Sequence, residues 1–263
     1  MNLKVKNLEA YLIKMGRVAV ALSGGLDSCV LLDFAVNVLG SDKCLALTAV
    51  SPNMIDSEIR LAEDFCRKLD VCCKKVDCSE VFHQIKKNPP ERCYICKRFI
   101  FGKLLKIANE CGFENLCDGS NADDMSDFRP GMRAVKELGV CSPLLETKWG
   151  KIDINAYAVM RNLSVANKPA YACLMTRFLP NVEITERMLM VVDSAEDFLR
   201  ELGFMQVRVR IDGNNAKITF GASELKKFLD SREDIEPIIA KKFTELGLKI
   251  TGIGEYKRGL TNV

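Results

Sequence analysis

Near the N-terminus, the run Ala21-Leu22-Ser23-Gly24-Gly25-Leu26-Asp27-Ser28 has the residue types of a phosphate or pyrophosphate site. Val18 to Leu22 is apolar throughout and reads as a buried strand. Val30, Leu31, Phe34, Ala35 and Val38 recur at helical spacing directly afterwards. A turn of small residues between the two lets backbone amides come close to an oxygen-rich ligand. The free N–H groups and the positive dipole end of the new helix point at the same place. No Gly-Lys-Ser/Thr follows, so the run is not a Walker loop, and it lacks the dinucleotide pattern G-x-G-x-x-G. A plain strand-to-helix turn with incidental serines is the bland alternative, and the position just after an N-terminal strand counts against it.

The second chemistry is thiol chemistry. The chain has 12 cysteines in 263 residues. At that frequency a pair three residues apart is expected by chance about half the time, so Cys93-x-x-Cys96 gains weight only from its context. It stands at a Pro-marked helix start, where the dipole favours a thiolate. A zinc ribbon needs a second such pair, and none exists. If Cys173 joins from a distant loop there are three thiolates. On a four-iron cluster, three leave one iron without a protein ligand.

Charged candidates complete the set. Arg208 and Arg210 project from the same face of a strand, because side chains alternate with period two. Two neighbouring guanidinium groups suit a phosphate monoester, and a solvated strand edge is the equal alternative. Asp123 and Asp124 suit a helix cap or, with Asp27, a divalent cation.

These residues need elements to hold them. Residues 3–15 carry an apolar helical stripe (Leu8, Leu12, Met15). Cys44 to Val50 is a second apolar strand, ended by Ser51-Pro52-Asn53. Ile55 to Leu69 is an amphipathic helix, and Val71 to Val76 a third strand. Strands alternating with helices imply a doubly wound parallel sheet with right-handed crossovers, whose ligands lie beyond the carboxyl ends of the strands. Residues 84–92, with Pro89-Pro90, read as a loop leading to a helix over Arg98 to Glu110. A strand end at Leu116-Cys117 and a helix near Ile152 to Leu163 follow. Beyond residue 180 the pattern changes to a helix over Thr185 to Leu202 and a half-exposed strand over Val207 to Ile211. A turn at Asp212-Gly213, a strand over Ala216 to Phe220, a helix around Ile235 to Leu246 and a last strand over Leu248 to Ile253 complete it. The expected division is an α/β domain over 1–175 and a smaller α+β domain over 180–263.

Composition sets the outer limits. The formal net charge is +3, too mild to imply a polyanionic partner such as nucleic acid. No apolar run approaches a membrane span, and residues 1–16 are too charged for a signal peptide. The expectation is a cytoplasmic protein with reduced cysteines. The single histidine, His83, reads as a surface or packing residue, which leaves little scope for Ser-His catalysis.

The opening run resembles the SGG-x-DS pyrophosphate loop (PP-loop) of the N-type ATP pyrophosphatases, which have the adenine nucleotide α-hydrolase-like fold and split ATP to AMP and pyrophosphate. The resemblance sharpens along the chain. Asp118-Gly119-Ser120-Asn121-Ala122-Asp123-Asp124, Arg129-Pro130-Gly131, Ser142-Pro143-Leu144 and Lys168-Pro169-Ala170-Tyr171-Ala172-Cys173-Leu174 are similar to segments of the LarE sulfur transferases. Ala195-Glu196, Val207-Arg208-Val209-Arg210 and Tyr256-Lys257-Arg258-Gly259 fit the same family. The chain departs from it at Cys173-Leu174-Met175-Thr176-Arg177 and at Pro180-Asn181-Val182.

The family adenylates a carboxylate of a pyridinium dicarboxylate mononucleotide and installs sulfur as a thiocarboxylate, on the way to a nickel-pincer cofactor. By resemblance Ser23, Gly24, Gly25 and Ser28 would cradle pyrophosphate, with Ala21 and Gly119 completing the ATP site and Asp27 holding Mg²⁺. Arg208 and Arg210 would hold the substrate phosphate, and Glu196 and Arg177 match active-site positions. Cys93, Cys96 and Cys173 match the branch that carries a [4Fe–4S] cluster with an extra sulfide, supplied by sulfide or another sulfur donor. In the other branch the residue matching Cys173 gives up its own sulfur. The resemblance also implies a homo-oligomer, a hexamer. Transfer-RNA thiolation would call for zinc-ribbon pairs and a more basic surface. Amide formation, as in NAD or GMP synthesis, needs no cysteine triad. A nucleotide sensor would release no pyrophosphate.

Overall fold

The computed structural model describes residues 2–126, 130–166, 168–169 and 171–256. Arg129, Ala170 and Lys257-Arg258-Gly259, on which part of the resemblance rests, lie outside them. The chain divides into two compact units, Met1–Ile85 with Glu91–Tyr171, and Lys86–Pro90 with Ala172–Val263.

The first unit runs α1 (Asn2–Met15), β1 (Val18–Ala21), α2 (Leu26–Leu39), β2 (Cys44–Val50), α3 (Asp56–Lys68), β3 (Cys72–Asp77), α4 (Glu80–Ile85, before the Lys86–Pro90 segment), α5 (Arg92–Glu110), β4 (Leu116–Cys117), α6 (Pro130–Glu137), α7 (Pro143–Glu146) and α8 (Lys151–Met160). Its four strands are parallel in the order β3-β2-β1-β4. Alternate residues of each strand serve opposite cores. Val18, Val20 and Ala46 join α1, α2, α3 and α8 through Leu8, Leu31, Phe65 and Tyr157. Ala19, Leu45, Leu47 and Leu116 join α5 through Ile100, Phe101 and Leu104. Helices therefore cover both faces, which is the doubly wound arrangement.

The strand order also fixes where a ligand goes. The chain steps outward from β1 to β2 to β3, then returns to the other side of β1 as β4. The switch point is the carboxyl end of β1 beside β4, and such sheets open a crevice there. The run that starts at Ala21 leaves β1 at that point, and Asp118-Gly119 leaves β4 beside it.

The second unit contains α9 (Glu186–Glu201), β5 (Val207–Asp212), β6 (Asn215–Phe220), α10 (Ala222–Asp230), α11 (Arg232–Glu245) and β7 (Lys249–Glu255). Thr185 caps α9, its hydroxyl accepting from the Met188 N–H at 3.2 Å. The sheet order is β5-β6-β7, with β5 antiparallel and β7 parallel to β6. Phe204, Phe220 and Phe228 pack together with centroids 4.9–6.3 Å apart, Phe220 stacked on Phe228 and Phe204 edge-on to Phe228. Asn88 belongs here: its amide donates to the carbonyls of Leu179 at 2.8 Å and Phe178 at 3.3 Å.

Two sequence expectations are corrected. The helix expected from Arg98 begins at Arg92, so the C-x-x-C pair lies inside it. The strand expected to be half-exposed is buried at Val207, Arg208 and Val209, because α9 covers it. Helices α4, α6, α7 and α10 leave no mark in the sequence pattern; each is at most nine residues long, too short for a strong periodic signal.

Candidate active site

The loop after β1 is wound around two hydroxyl groups. The Ser23 N–H donates to Ser28 Oγ at 3.2 Å, and that hydroxyl donates to the Gly25 carbonyl at 3.1 Å. The Gly25 N–H donates to Ser23 Oγ at 3.3 Å. The N-cap residue Gly25 has no side chain to offer the first turn of α2, so its opening amides are open to a ligand. Two glycines are enforced by neighbouring backbone. Gly24 has φ +75°, and a Cβ there would sit 2.3 Å from the Glu58 carbonyl oxygen. A Cβ on Gly119 would sit 2.9 Å from the Ser28 nitrogen. Ala21 closes β1 opposite Leu47.

Asp27 is the unusual group. Its Oδ2 accepts from Asn121 Nδ2 at 3.1 Å and from the Lys151 ammonium. Its Oδ1 is buried and has no hydrogen-bond partner among the described residues. A buried carboxylate oxygen left unpaired is costly, and a hard divalent cation is what such an oxygen accepts. The donor chemistry of the site thus fits Mg²⁺.

Asn121 is itself fixed, its Oδ1 accepting from the Asp123 N–H at 3.0 Å and its N–H donating to Asp124 Oδ2 at 3.1 Å. Asp123 Oδ2 accepts from the Lys151 N–H at 2.7 Å and so caps α8 from 28 residues away. Both acids therefore cap turns, and α8 presents Lys151 to Asp27. On the other side, Lys168 donates to the Gly24 carbonyl at 2.9 Å and pairs with Glu58 on α3. Asn121, Lys151 and Lys168 were not singled out as site residues from sequence. Asn121 lies in the 118–124 segment and Lys168 opens the 168–174 segment, but nothing local marks any of the three.

All 12 cysteines are free thiols. Cys93 and Cys96 share the first turn of α5, exposed and half-buried. Cys173 belongs to the second unit, exposed just before a 3₁₀ turn over Leu174–Arg177. Among the described residues no three His, Cys, Asp or Glu side chains are grouped as a metal ion requires. Burial pushes the Cys29 thiol up to about 12 and those of Cys44 and Cys78 up to about 11, as inert packing residues.

In the second unit Arg177 and Glu196 form a buried bidentate pair at 2.6 and 2.9 Å. Glu196 Oε1 also accepts from the Val209 N–H at 2.8 Å, and Oε2 from Arg200 at 3.4 Å. Burial alone would raise this carboxyl, but the Arg177 guanidinium, its hydrogen bonds and the Val209 amide hold it below the ordinary glutamate range. Arg208 is buried, donating to its neighbour's carbonyl at Val207 at 2.7 Å and lying over the Tyr256 ring at 5.6 Å. Arg210 opens instead on a cavity of about 390 Å³, with Lys217, its partner across the hairpin, and Asn215, Thr251 and Thr176.

Comparison with known proteins bears on this arrangement. Residues 2–97 match the NAD synthase family. The chain is 35% identical over 227 residues to an uncharacterised protein of Synechocystis, covering 86% of this chain and 84% of the other. An uncharacterised protein of Methanocaldococcus jannaschii is 32% identical over 94% of this chain and 92% of its own. The pyridinium-3,5-bisthiocarboxylic acid mononucleotide synthase of Lactiplantibacillus plantarum is 32% identical over 98% of this chain and 94% of its own.

Proposed function

We infer the function from one premise: the chain belongs to the LarE-type family of ATP-dependent sulfur transferases. The reaction proposed is adenylation of a carboxylate on a pyridinium dicarboxylate mononucleotide, followed by its conversion to a thiocarboxylate. The observation that carries this reading is the unpaired Asp27 oxygen beside the uncapped start of α2.

The substrate carboxylate attacks the α-phosphorus of ATP and pyrophosphate leaves, giving an acyl adenylate. Charge develops on the departing pyrophosphate, where the α2 amides, Ser23 and Ser28 are already oriented. Mg²⁺ held by Asp27 would neutralise triphosphate charge at that point. Lys151 and Lys168 supply further positive charge next to the loop, and Lys168 fixes the Gly24 carbonyl so that the loop amides keep their direction. Sulfur then attacks the acyl carbon and AMP leaves.

The substrate phosphate is assigned to Arg210 with Lys217, and Arg208 stands behind them as support. Arg177 and Glu196 act as positioning residues: their atoms are engaged with each other, and Glu196 pins β5 through Val209.

Cys93, Cys96 and Cys173 are the thiols assigned to sulfur delivery. In residue type and accessibility they suit a cluster. A [4Fe–4S] cluster, when bound, would supply the sulfide. A second reading, with Cys173 as a sacrificial donor, is favoured by the exposure of that residue alone. Anaerobic purification, iron and sulfide quantification and mass spectrometry after turnover separate the two. The cluster reading expects iron, unchanged protein mass and repeated turnover with added sulfide. Sulfur transfer by iron-free protein, with a loss of about 34 Da as one H₂S leaves, would overturn it. Absence of substrate-dependent pyrophosphate release would overturn the adenylation reading itself.

A further inference from the structure

The two donors that meet Asp27 Oδ2 are held very differently. Asn121, at 3.1 Å, is fixed at both ends, its Oδ1 by the Asp123 N–H and its own N–H by Asp124. Lys151, with Nζ at 2.5 Å, is anchored through its backbone, where its N–H donates to Asp123 Oδ2. Its side chain is 41% exposed against 20% for Asp27, so the flexible four-carbon stem can carry the ammonium out toward water. One donor is a fixture. The other can leave.

The remaining acids nearby are already engaged. Asp153, on the same first turn of α8, pairs with Lys4 at 2.7 Å and accepts from the Gly150 N–H at 3.0 Å. Glu58 holds Lys168, and Asp33 is tied to Arg161 and Tyr157. Asp27 is therefore the carboxylate that Lys151 serves.

We propose that Lys151 is a positioning residue that acts as a resident counterion. It keeps Asp27 from capturing a divalent cation before the nucleotide arrives, and it passes to the phosphates when they do. This deepens the reading of the loop as an ATP site and rests on it. An ammonium in contact with Asp27 Oδ2 covers that oxygen and sets a positive charge beside any cation that approaches Oδ1. A triphosphate at the start of α2 carries more negative charge than one carboxylate, so it draws the ammonium away. Asp27 Oδ2 then keeps Asn121 and regains a free lone pair. The metal is admitted together with the charge it must neutralise. The hand-over moves no proton and breaks no covalent bond.

The test titrates the full-length chain with Mn²⁺ alone, followed by electron paramagnetic resonance, in wild type, Lys151→Met and Lys151→Arg. Manganese takes the same oxygen ligands as magnesium. We expect Lys151→Met to bind Mn²⁺ about tenfold more tightly than wild type. Adding Asp27→Asn to that variant should abolish the gain, and Lys151→Arg, which restores the charge, should return affinity to the wild-type level. A damaged fold would not tighten binding in this way. Equal Mn²⁺ affinity in wild type and Lys151→Met, or a gain that survives Asp27→Asn, overturns the counterion role.

A second arm measures a non-hydrolysable ATP analogue in the presence of EDTA. Lys151→Met should bind it about tenfold more weakly than wild type. Unchanged affinity overturns the hand-over to phosphate. Failure of wild type to bind the analogue at all counts against the nucleotide site instead, because the Mn²⁺ titration does not depend on it.

Discussion

Asp27 in the first unit and Glu196 in the second are both carboxylates at functional candidates, yet their surroundings are opposites. Glu196 is completely buried, and both of its oxygens are engaged by Arg177, Arg200 and the Val209 amide. Asp27 has one engaged oxygen and one with no hydrogen-bond partner among the described residues. A closed set of partners makes a group part of the scaffold. An open one leaves a place for a ligand. Asp33, one and a half turns further along α2, supports the distinction: buried and bonded by Tyr157, Arg161 and Asn37, it ties α2 to α8 and has nothing to offer a substrate.

The sharpest break in the comparison would come from Glu196→Ala. It leaves a buried guanidinium unpaired and should cost about 3–5 kcal/mol, read from the urea midpoint. Wild-type stability in that variant would erase the contrast. The linked pH effect has a definite sign. A carboxyl held low in the folded state stabilises fully above its unfolded value of about 4.3, and the contribution fades as pH falls below that toward the lower folded value. The Glu196→Ala variant should therefore lose less stability than wild type over that acid range.

Asp27→Asn is next. Pyrophosphate release should drop by about a hundredfold or more, while the urea midpoint moves much less than for Glu196→Ala. A variant that unfolds instead would place Asp27 with the scaffold.

Within the second unit the same distinction separates Arg210 from Arg208. Arg210→Ala or Lys217→Ala should weaken binding of the phosphorylated substrate by roughly 1.5–3 kcal/mol with stability preserved. Arg208→Ala should lower stability as well. Equal thermal melts for the arginine variants would show both side chains to be free for ligand.

The smallest effect is expected at Asp123→Ala, where loss of the cap on α8 costs about 1 kcal/mol and lets Lys151 drift from Asp27. The readout is a raised KM for ATP with a slightly lower melting temperature.

The loop was legible because one stretch holds everything that defines it: strand, small-residue turn and helix follow without a gap, and each has a periodic signature. Its supporting groups were not. Asn121, Lys151 and Lys168 reach the loop from 94, 124 and 144 residues away, and only the switch-point topology brings them there. The start of α5 is hidden in the sequence, because Pro89-Pro90 and the polar residues around it mask a helix that begins at Arg92. The arginines of β5 suggest solvent by their charge, whereas Arg208 is buried and its guanidinium meets a carbonyl and an aromatic ring. Charge in a sequence records the need for a partner, and that partner can be protein as well as water.

The Lys86–Pro90 segment carries a practical meaning for anyone dividing this chain. A fragment begun at Ala172 would be missing Asn88, and with it the donor that satisfies the Phe178 and Leu179 carbonyls. The Ile184 amide would lose the Lys86 carbonyl in the same cut. The shorter unit is encoded in two places, so a gene truncated at the apparent boundary specifies an unfinished fold, and a surviving fragment would need those five residues supplied as a separate peptide.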